Sequence, residues 1–303
     1  MDAVDSSARP SLAVEAPIHI GAYALFVRDL LRCAEFYRHA IGLDLLSQER
    51  ARAVLGAGGV PLLHLEERPE AKPDDKAAAG LFHAAFAMPT RADLARWYAH
   101  ARRIGLTISR TGDHLVNEAI YFDDPEGNGC ECYADRPPET WQWDAEGHCA
   151  IDTGKPVDLD GLSQEAAGEA GQWHAPGGLR VGHMNLRVGD WRAAERFYSG
   201  VIGLDFTGRR HINFAGRTDT TITFMSSGRY HHHFAANDFT SRDAGRRDPA
   251  RAGLAWFSFA HDASVDANAL RARLRAAGAP VAPVDGGFET QDPWGTRVRV
   301  VPA

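Results

Sequence analysis

The sequence predicts an α+β fold of four repeated units, each one strand, one amphipathic helix and several further strands. Two observations carry that prediction. The stretch from Val27-Arg28-Asp29 through Phe36-Tyr37 to Ile41-Gly42-Leu43-Asp44 lies without a gap over Val188-Gly189-Asp190 through Phe197-Tyr198 to Ile202-Gly203-Leu204-Asp205, which marks a duplication. Further matches join Gly80-Leu81-Phe82-His83 to Gly253-Leu254-Ala255-Trp256, and Asp124-Pro125-Glu126-Gly127 to Asp292-Pro293-Trp294-Gly295. The two halves are therefore related throughout.

In chain order, residues 1–16 read as a flexible tail and residues 17–135 as a first domain. Residues 21–27 alternate as a strand does, and Asp29 then stands where a helix N-cap belongs. Phe36, Tyr37 and Ile41 line one helical face, with Gly42 placed to end the helix in a left-handed turn. In the second unit Pro89-Thr90 precedes a helix through Leu94 and Trp97 to His100, with Gly105 beyond its end. Residues 136–178, rich in Pro, Gly and acidic residues, form a linker whose Trp141, Trp143 and Trp173 are expected to pack across the domains. Residues 179–303 form the second domain, with a strand over 181–188, Asp190 and Gly203 repeating Asp29 and Gly42, and a last helix between Val265 and Ala277.

Composition narrows the partners. A chain of 303 residues, 44% hydrophobic and 24% charged, buries a sizeable core and is long enough for two domains. A formal charge of -7 with no Lys/Arg-rich run argues against nucleic acid or an anionic membrane as the main partner. A small molecule is the expected ligand. The start, Met1-Asp2-Ala3-Val4-Asp5-Ser6-Ser7, lacks the basic and apolar regions of a signal peptide, and a cytoplasmic location is expected. Cys33, Cys130, Cys132 and Cys149 show no CxxC spacing and read as reduced packing thiols. Exposed sheet edges lead us to expect a homo-oligomer.

Three residues that can bind one divalent metal stand at equivalent places in the repeat. His83 and His183 fall in first strands with apolar neighbours, and Glu131 begins a terminal strand after the turn Asp124-Pro125-Glu126-Gly127-Asn128-Gly129. In Cys130-Glu131-Cys132-Tyr133 the side chains alternate, so Glu131 faces away from the thiols and needs a cation or a hydrogen-bond partner. Taken singly, each histidine reads more readily as a hydrogen-bonded structural residue. Together, two imidazoles and one carboxylate leave a divalent ion three open positions, as oxygen-activating iron(II) centres require. The equivalents elsewhere are Ala22, Trp256 and Arg299, so only units two and three together supply all three ligands. The remaining pair of units is expected to be structural. Asp124 and Glu126 read as turn-forming.

These motifs, with Asp113-His114-Leu115-Val116-Asn117-Glu118-Ala119-Ile120-Tyr121 and Tyr230-His231-His232-His233, resemble the vicinal oxygen chelate superfamily of glyoxalases, bleomycin-resistance proteins and extradiol dioxygenases. The likeness spans residues 18–301 and is most specific to two-domain bacterial catechol-2,3-dioxygenases. It implies two tandem domains of paired βαβββ modules forming cup-shaped sheets, and opening of a catechol-type diol by O2 at a mononuclear Fe(II), with Mn(II) as the other candidate metal. His83, Glu131 and His183 fall on that family's metal positions, His231 on its proton-handling histidine, His114 on a second-sphere histidine and Tyr121 on an active-site tyrosine. Ala22 departs from related chains that have a histidine there. From the residues alone, the three consecutive histidines also fit a surface patch, with His231 and His233 sharing one face of a strand and His232 the other. His114, in an Asp-initiated turn, also fits a structural hydrogen bond. Phe82, Phe86, Met184 and Phe234 are expected to line an aromatic site or to be core. The alternatives are a glyoxalase-like metal-dependent isomerase or thiol transferase, and a non-catalytic protein that binds aromatic or drug-like ligands.

Overall fold

The computed structural model of the chain describes residues 10–152, 154–166, 172–214 and 216–303. Unit one comprises β1 (Ile18–Val27), α1 (Leu30–Phe36), β2 (Asp44–Glu49), β3 (Arg52–Ala57) and β4 (Val60–Glu67). Unit two follows with β5 (Gly80–Met88), α2 (Arg91–Arg103), β6 (Arg110–Asp113), β7 (Asn117–Asp123) and β8 (Gly129–Asp135). A short α3 (Leu159–Glu165) precedes unit three, made of β9 (Arg180–Arg187), α4 (Trp191–Glu195), β10 (Asp205–Phe214), β11 (Arg217–Ser226) and β12 (Phe234–Asn237). Unit four closes the chain with β13 (Gly253–His261), α5 (Ala267–Ala276), β14 (Ala282–Val284), β15 (Gly287–Gln291) and β16 (Arg297–Pro302).

The capping chemistry works as the sequence implies. Asp29, Thr90, Asp190 and Asp266 accept hydrogen bonds from the first-turn amides of α1, α2, α4 and α5. Gly42 at φ 86° and Gly203 at φ 98° take the left-handed conformation that a side chain resists. Between cap and glycine, α1 and α4 each widen into a π-helical stretch, Tyr37–Ile41 and Arg196–Ile202, which no residue pattern announced.

The strands form two eight-stranded sheets, in the orders β14-β15-β16-β13-β1-β4-β3-β2 and β10-β11-β12-β9-β5-β8-β7-β6. Each sheet joins two units through antiparallel first strands, β1 with β13 and β5 with β9. Units one and four thus share one sheet and units two and three the other. That is the pairing required by the distribution of His83, Glu131 and His183. The sheets pack against each other at their centres, where Tyr23 on β1 meets Phe86 on β5 and Phe234 on β12 meets Phe257 on β13.

Residues 1–9 of the expected tail lie outside the described residues. From Ser11 onward the segment is packed: Ala13 is fully buried and its carbonyl accepts from His233 Nε2, 2.7 Å away. In the 136–178 segment, Trp141 packs on Tyr230 and His231, and the Trp173 indole N–H donates to the carbonyl of Ile41 at 2.8 Å. All four cysteines are buried and free. No helix among the described residues is long and apolar enough to cross a membrane.

Candidate metal centre

His83, Glu131 and His183 stand on β5, β8 and β9, three neighbouring strands with β5 in the middle. His83 Nε2 lies 3.1 Å from Glu131 Oε2 and 3.2 Å from His183 Nε2, and His183 Nε2 lies 3.3 Å from the same Oε2. All three side chains are buried. Among the described residues, neither carboxylate oxygen of Glu131 has a hydrogen-bond partner, nor does His183 Nδ1. A buried carboxylate flanked by two ring nitrogens yet accepting no directed hydrogen bond is costly unless a cation completes it. Ligand atoms at right angles around an ion about 2.1 Å away lie about 3 Å apart, so this triangle fits three ligands on one face of a single ion. Burial alone would raise the Glu131 pKa, but the His183 and His83 imidazoles outweigh it and hold it at about 2. Burial lowers His83 to about 3, leaving a neutral ring whose lone pair is free to ligate. A second group, Asp144, Glu146 and His148, lies in an exposed turn where the Asp144 carboxylate already accepts from the Glu146 and His148 amides.

The triad opens into a cavity of about 280 Å³ with apolar walls that include Phe82, Ile212, Phe214, Phe224 and Phe239. A bulge explains how Phe82 and His83, consecutive on one strand, both face it. Leu81 and His83 oppose the adjacent residues Leu186 and Asn185 of β9, so Phe82 is the extra residue. Phe86, Met184 and Phe234 point the other way, into the core between the sheets, and are fully buried. Alternation along the strands puts them opposite the ligand face.

His114 and Tyr121 also line the cavity. His114 Nδ1–H donates to the carbonyl of Asp152 at 2.5 Å, so its Nε2 accepts from the Tyr121 hydroxyl at 2.7 Å. Gly112 makes room for that ring, since a Cβ there would meet His114 atoms at 2.6 Å. Burial pushes the Tyr121 phenol well above its usual range, keeping it a donor. The 136–178 segment thus helps build the site, through the Asp152 carbonyl and through Ile151 in the wall.

The three consecutive histidines divide their tasks. They are all buried, so they form no surface patch. His232 lines the cavity, its ring centroid 4.2 Å from that of His183, and burial together with the neighbouring His183 and His231 holds its pKa well below the usual value. His231 does not line the cavity. It sits behind His232, with Nε2 2.7 Å from Asp135 Oδ1 and Nδ1 2.7 Å from His232 Nδ1. His233 bridges Ser226 and the Ala13 carbonyl. His231 is the histidine expected at the reacting atoms, whereas the member of this run that lines the cavity is His232.

The other sheet carries the vacant equivalents in the same register. Trp256 opposes Ala24 as His83 opposes Asn185, and Phe257 opposes Val298 as Ala84 opposes Cys130. There the Arg299 guanidinium stacks 3.8 Å over Trp256 and bonds Glu289 at 3.1 Å, and His64 packs on the Trp256 ring at 5.0 Å. Side chains occupy the place of a ligand set.

A family model described as the Glyoxalase/Bleomycin resistance protein/Dioxygenase superfamily matches residues 19–132 and 180–300. The chain belongs to this superfamily. It is 35% identical over 283 residues, covering 93% of this chain and 96% of the relative, to a catechol-2,3-dioxygenase of Bacillus subtilis (strain 168). The crystal structure of glyoxalase I from Zea mays shares the fold at TM-score 0.57 and 16% identity, over 96% of this chain and 94% of that one. The cppA protein of Streptococcus pneumoniae TIGR4 does so at TM-score 0.54 and 13% identity, over 94% and 99%.

Of the six site residues expected in this superfamily member, five meet at one cavity and His231 does not. The resemblance places the proton-handling role on His231, and strand alternation does not extend to this run. β12 begins only at Phe234, and Gly228 and Arg229 ahead of it turn the chain with φ of 64° and 60°. The linker's share in the wall left no sequence signal at all.

Proposed function

We propose that the protein is an extradiol ring-cleaving dioxygenase that opens a catechol-type aromatic diol with O2 at a mononuclear iron(II). The carrying observation is the His83–Glu131–His183 triangle in a cavity lined by aromatic side chains together with polar groups such as His114, Tyr121 and His232, and the catechol-2,3-dioxygenase relative agrees with it. His83, Glu131 and His183 would hold iron(II), which would supply Lewis-acid and electron-transfer chemistry for the reaction of a diol with dioxygen. The remaining chemistry falls to the chain. Phe82, Phe214 and Phe239 present ring faces and edges to an aromatic substrate and exclude water. His232, neutral and uncharged in the resting site, accepts a diol proton and returns one during ring opening. The Tyr121 hydroxyl, fixed by His114, keeps lone pairs for a substrate hydroxyl.

The test is anaerobic loading with iron(II), addition of a panel of catechols and hydroquinones, then air, following oxygen uptake and the absorbance of ring-opened product. Stoichiometric uptake with product supports the reading, and parallel loading with manganese(II) identifies the working metal. No turnover across the panel, or isomerisation of a glutathione hemithioacetal without oxygen uptake, would sink it.

A further inference from the structure

β8 carries Glu131 in its middle and Asp135 at its end, so one strand fixes both the triad carboxylate and a second acid behind the cavity wall. Asp135 is nearly buried, with Oδ2 accepting from the Tyr230 hydroxyl at 2.8 Å and Oδ1 lying 2.7 Å from His231 Nε2. Because Tyr230 donates to Asp135, its oxygen accepts from Tyr133 at 2.6 Å. A carboxylate oxygen only accepts, so the proton of the His231 ring is on Nε2. In its neutral form the His231 ring then keeps a lone pair on Nδ1. His232 Nδ1, 2.7 Å away, is then the donor in that contact. Its Nε2 has no hydrogen-bond partner among the described residues, and the ring forms part of the cavity wall.

We propose that Asp135 and a neutral His231 are positioning residues that fix His232 as a base, with its proton on Nδ1 and the Nε2 lone pair toward the substrate. The role rests on the dioxygenase reading of the cavity, whereas the tautomer is a property of the resting protein. When Nε2 takes a diol proton, the O–H bond breaks and an N–H bond forms. The Nδ1 proton of His232 can then pass to His231 Nδ1, and the positive charge comes to rest on the ring paired with Asp135. The arrangement follows the logic by which a buried carboxylate sets the tautomer of a catalytic imidazole in hydrolase triads. Gly182, next to His183, belongs to the same construction: a Cβ there would meet the Tyr133 hydroxyl at 1.8 Å.

Protein labelled with 15N-histidine and loaded with diamagnetic zinc(II) reports the His232 tautomer through its ring nitrogens, assigned by the signal lost in His232→Gln. The wild type shows the proton on Nδ1, and Asp135→Asn shifts it toward Nε2. With iron(II), Asp135→Asn lowers kcat for a catechol about 10²-fold. Its KM and iron content stay within about two-fold, a split that a merely loosened site would not give. His231→Gln supplies the same two measurements should Asp135→Asn fail to fold. An Nε2 proton in the wild type, or an unchanged tautomer or kcat in the variants, overturns the proposal. If the wild type turns over no diol, the dioxygenase reading falls, and the tautomer measurement still decides the positioning.

Discussion

Single residues carry two sharp expectations. Removing any one corner of the triangle leaves two ligands and an uncompensated buried group, so His183→Ala should abolish iron retention as fully as His83→Ala or Glu131→Ala. Metal analysis after desalting reads this directly, and iron retained in the His183 variant would mean that the ligands are misassigned. His232→Ala should keep the iron but slow the chemical step by about 10²–10⁴-fold, the usual worth of a general acid–base group. Single-turnover kinetics with preloaded iron measures it. The triad was legible because its members recur at repeat-equivalent positions, where chance histidines would not. His231 and His232 could not be told apart from composition, since both are flanked by histidine. Arg229 turns the chain just ahead of them with a φ of 60°, and a non-glycine residue gives no sign of a positive φ.

At the scale of elements, the two Asp-Pro turns act as matched anchors. Asp124 accepts from the Glu126 and Asn128 amides and from the Tyr37 hydroxyl, and Asp292 from the Trp294 and Thr296 amides and the Tyr198 hydroxyl. Each turn is thereby tied to the helical stretch of the other domain half that packs beneath it. Glu126, expected to be turn-forming like Asp124, instead accepts from the Arg28 and Asp29 amides ahead of α1 and so ties unit two to unit one. Burial pushes the Asp292 carboxyl up to about 6, above its value of about 3.9 in an unfolded chain. A raised acid favours the folded state while protonated, so its contribution is complete below about pH 4 and lost as pH rises through about 6, at most about 3 kcal/mol. Asp292→Asn should therefore narrow the difference in urea midpoint between pH 4 and pH 7.5, and an unchanged difference would reject this account. The capped helices and their terminal glycines were readable because capping is local. The β5 bulge that turns Phe82 toward the cavity was not, because a bulge is defined by the partner strand it mismatches.

For the whole molecule, duplication built two cups, and among the described residues only one of them carries a buried candidate ligand set. The protein should retain one iron(II) per chain despite its fourfold repeat, and metal titration showing two tight equivalents would contradict the assignment of Trp256 and Arg299 as fillers. The sequence by itself determined the repeat, the α+β class and the helix caps, and it singled out His83, Glu131 and His183, drawn from units two and three, as the candidate ligand set. Those features are set by periodicity and by residue type at equivalent positions, which survive without coordinates. Only the tertiary structure decided that the 136–178 segment forms part of the cavity wall, that Phe86, Met184 and Phe234 belong to the core between the sheets, and that His231 stands behind His232 against Asp135. Each of these depends on segments that are distant in the chain meeting at ångström precision. Loop geometry and long-range packing fix such meetings, and no local pattern encodes them.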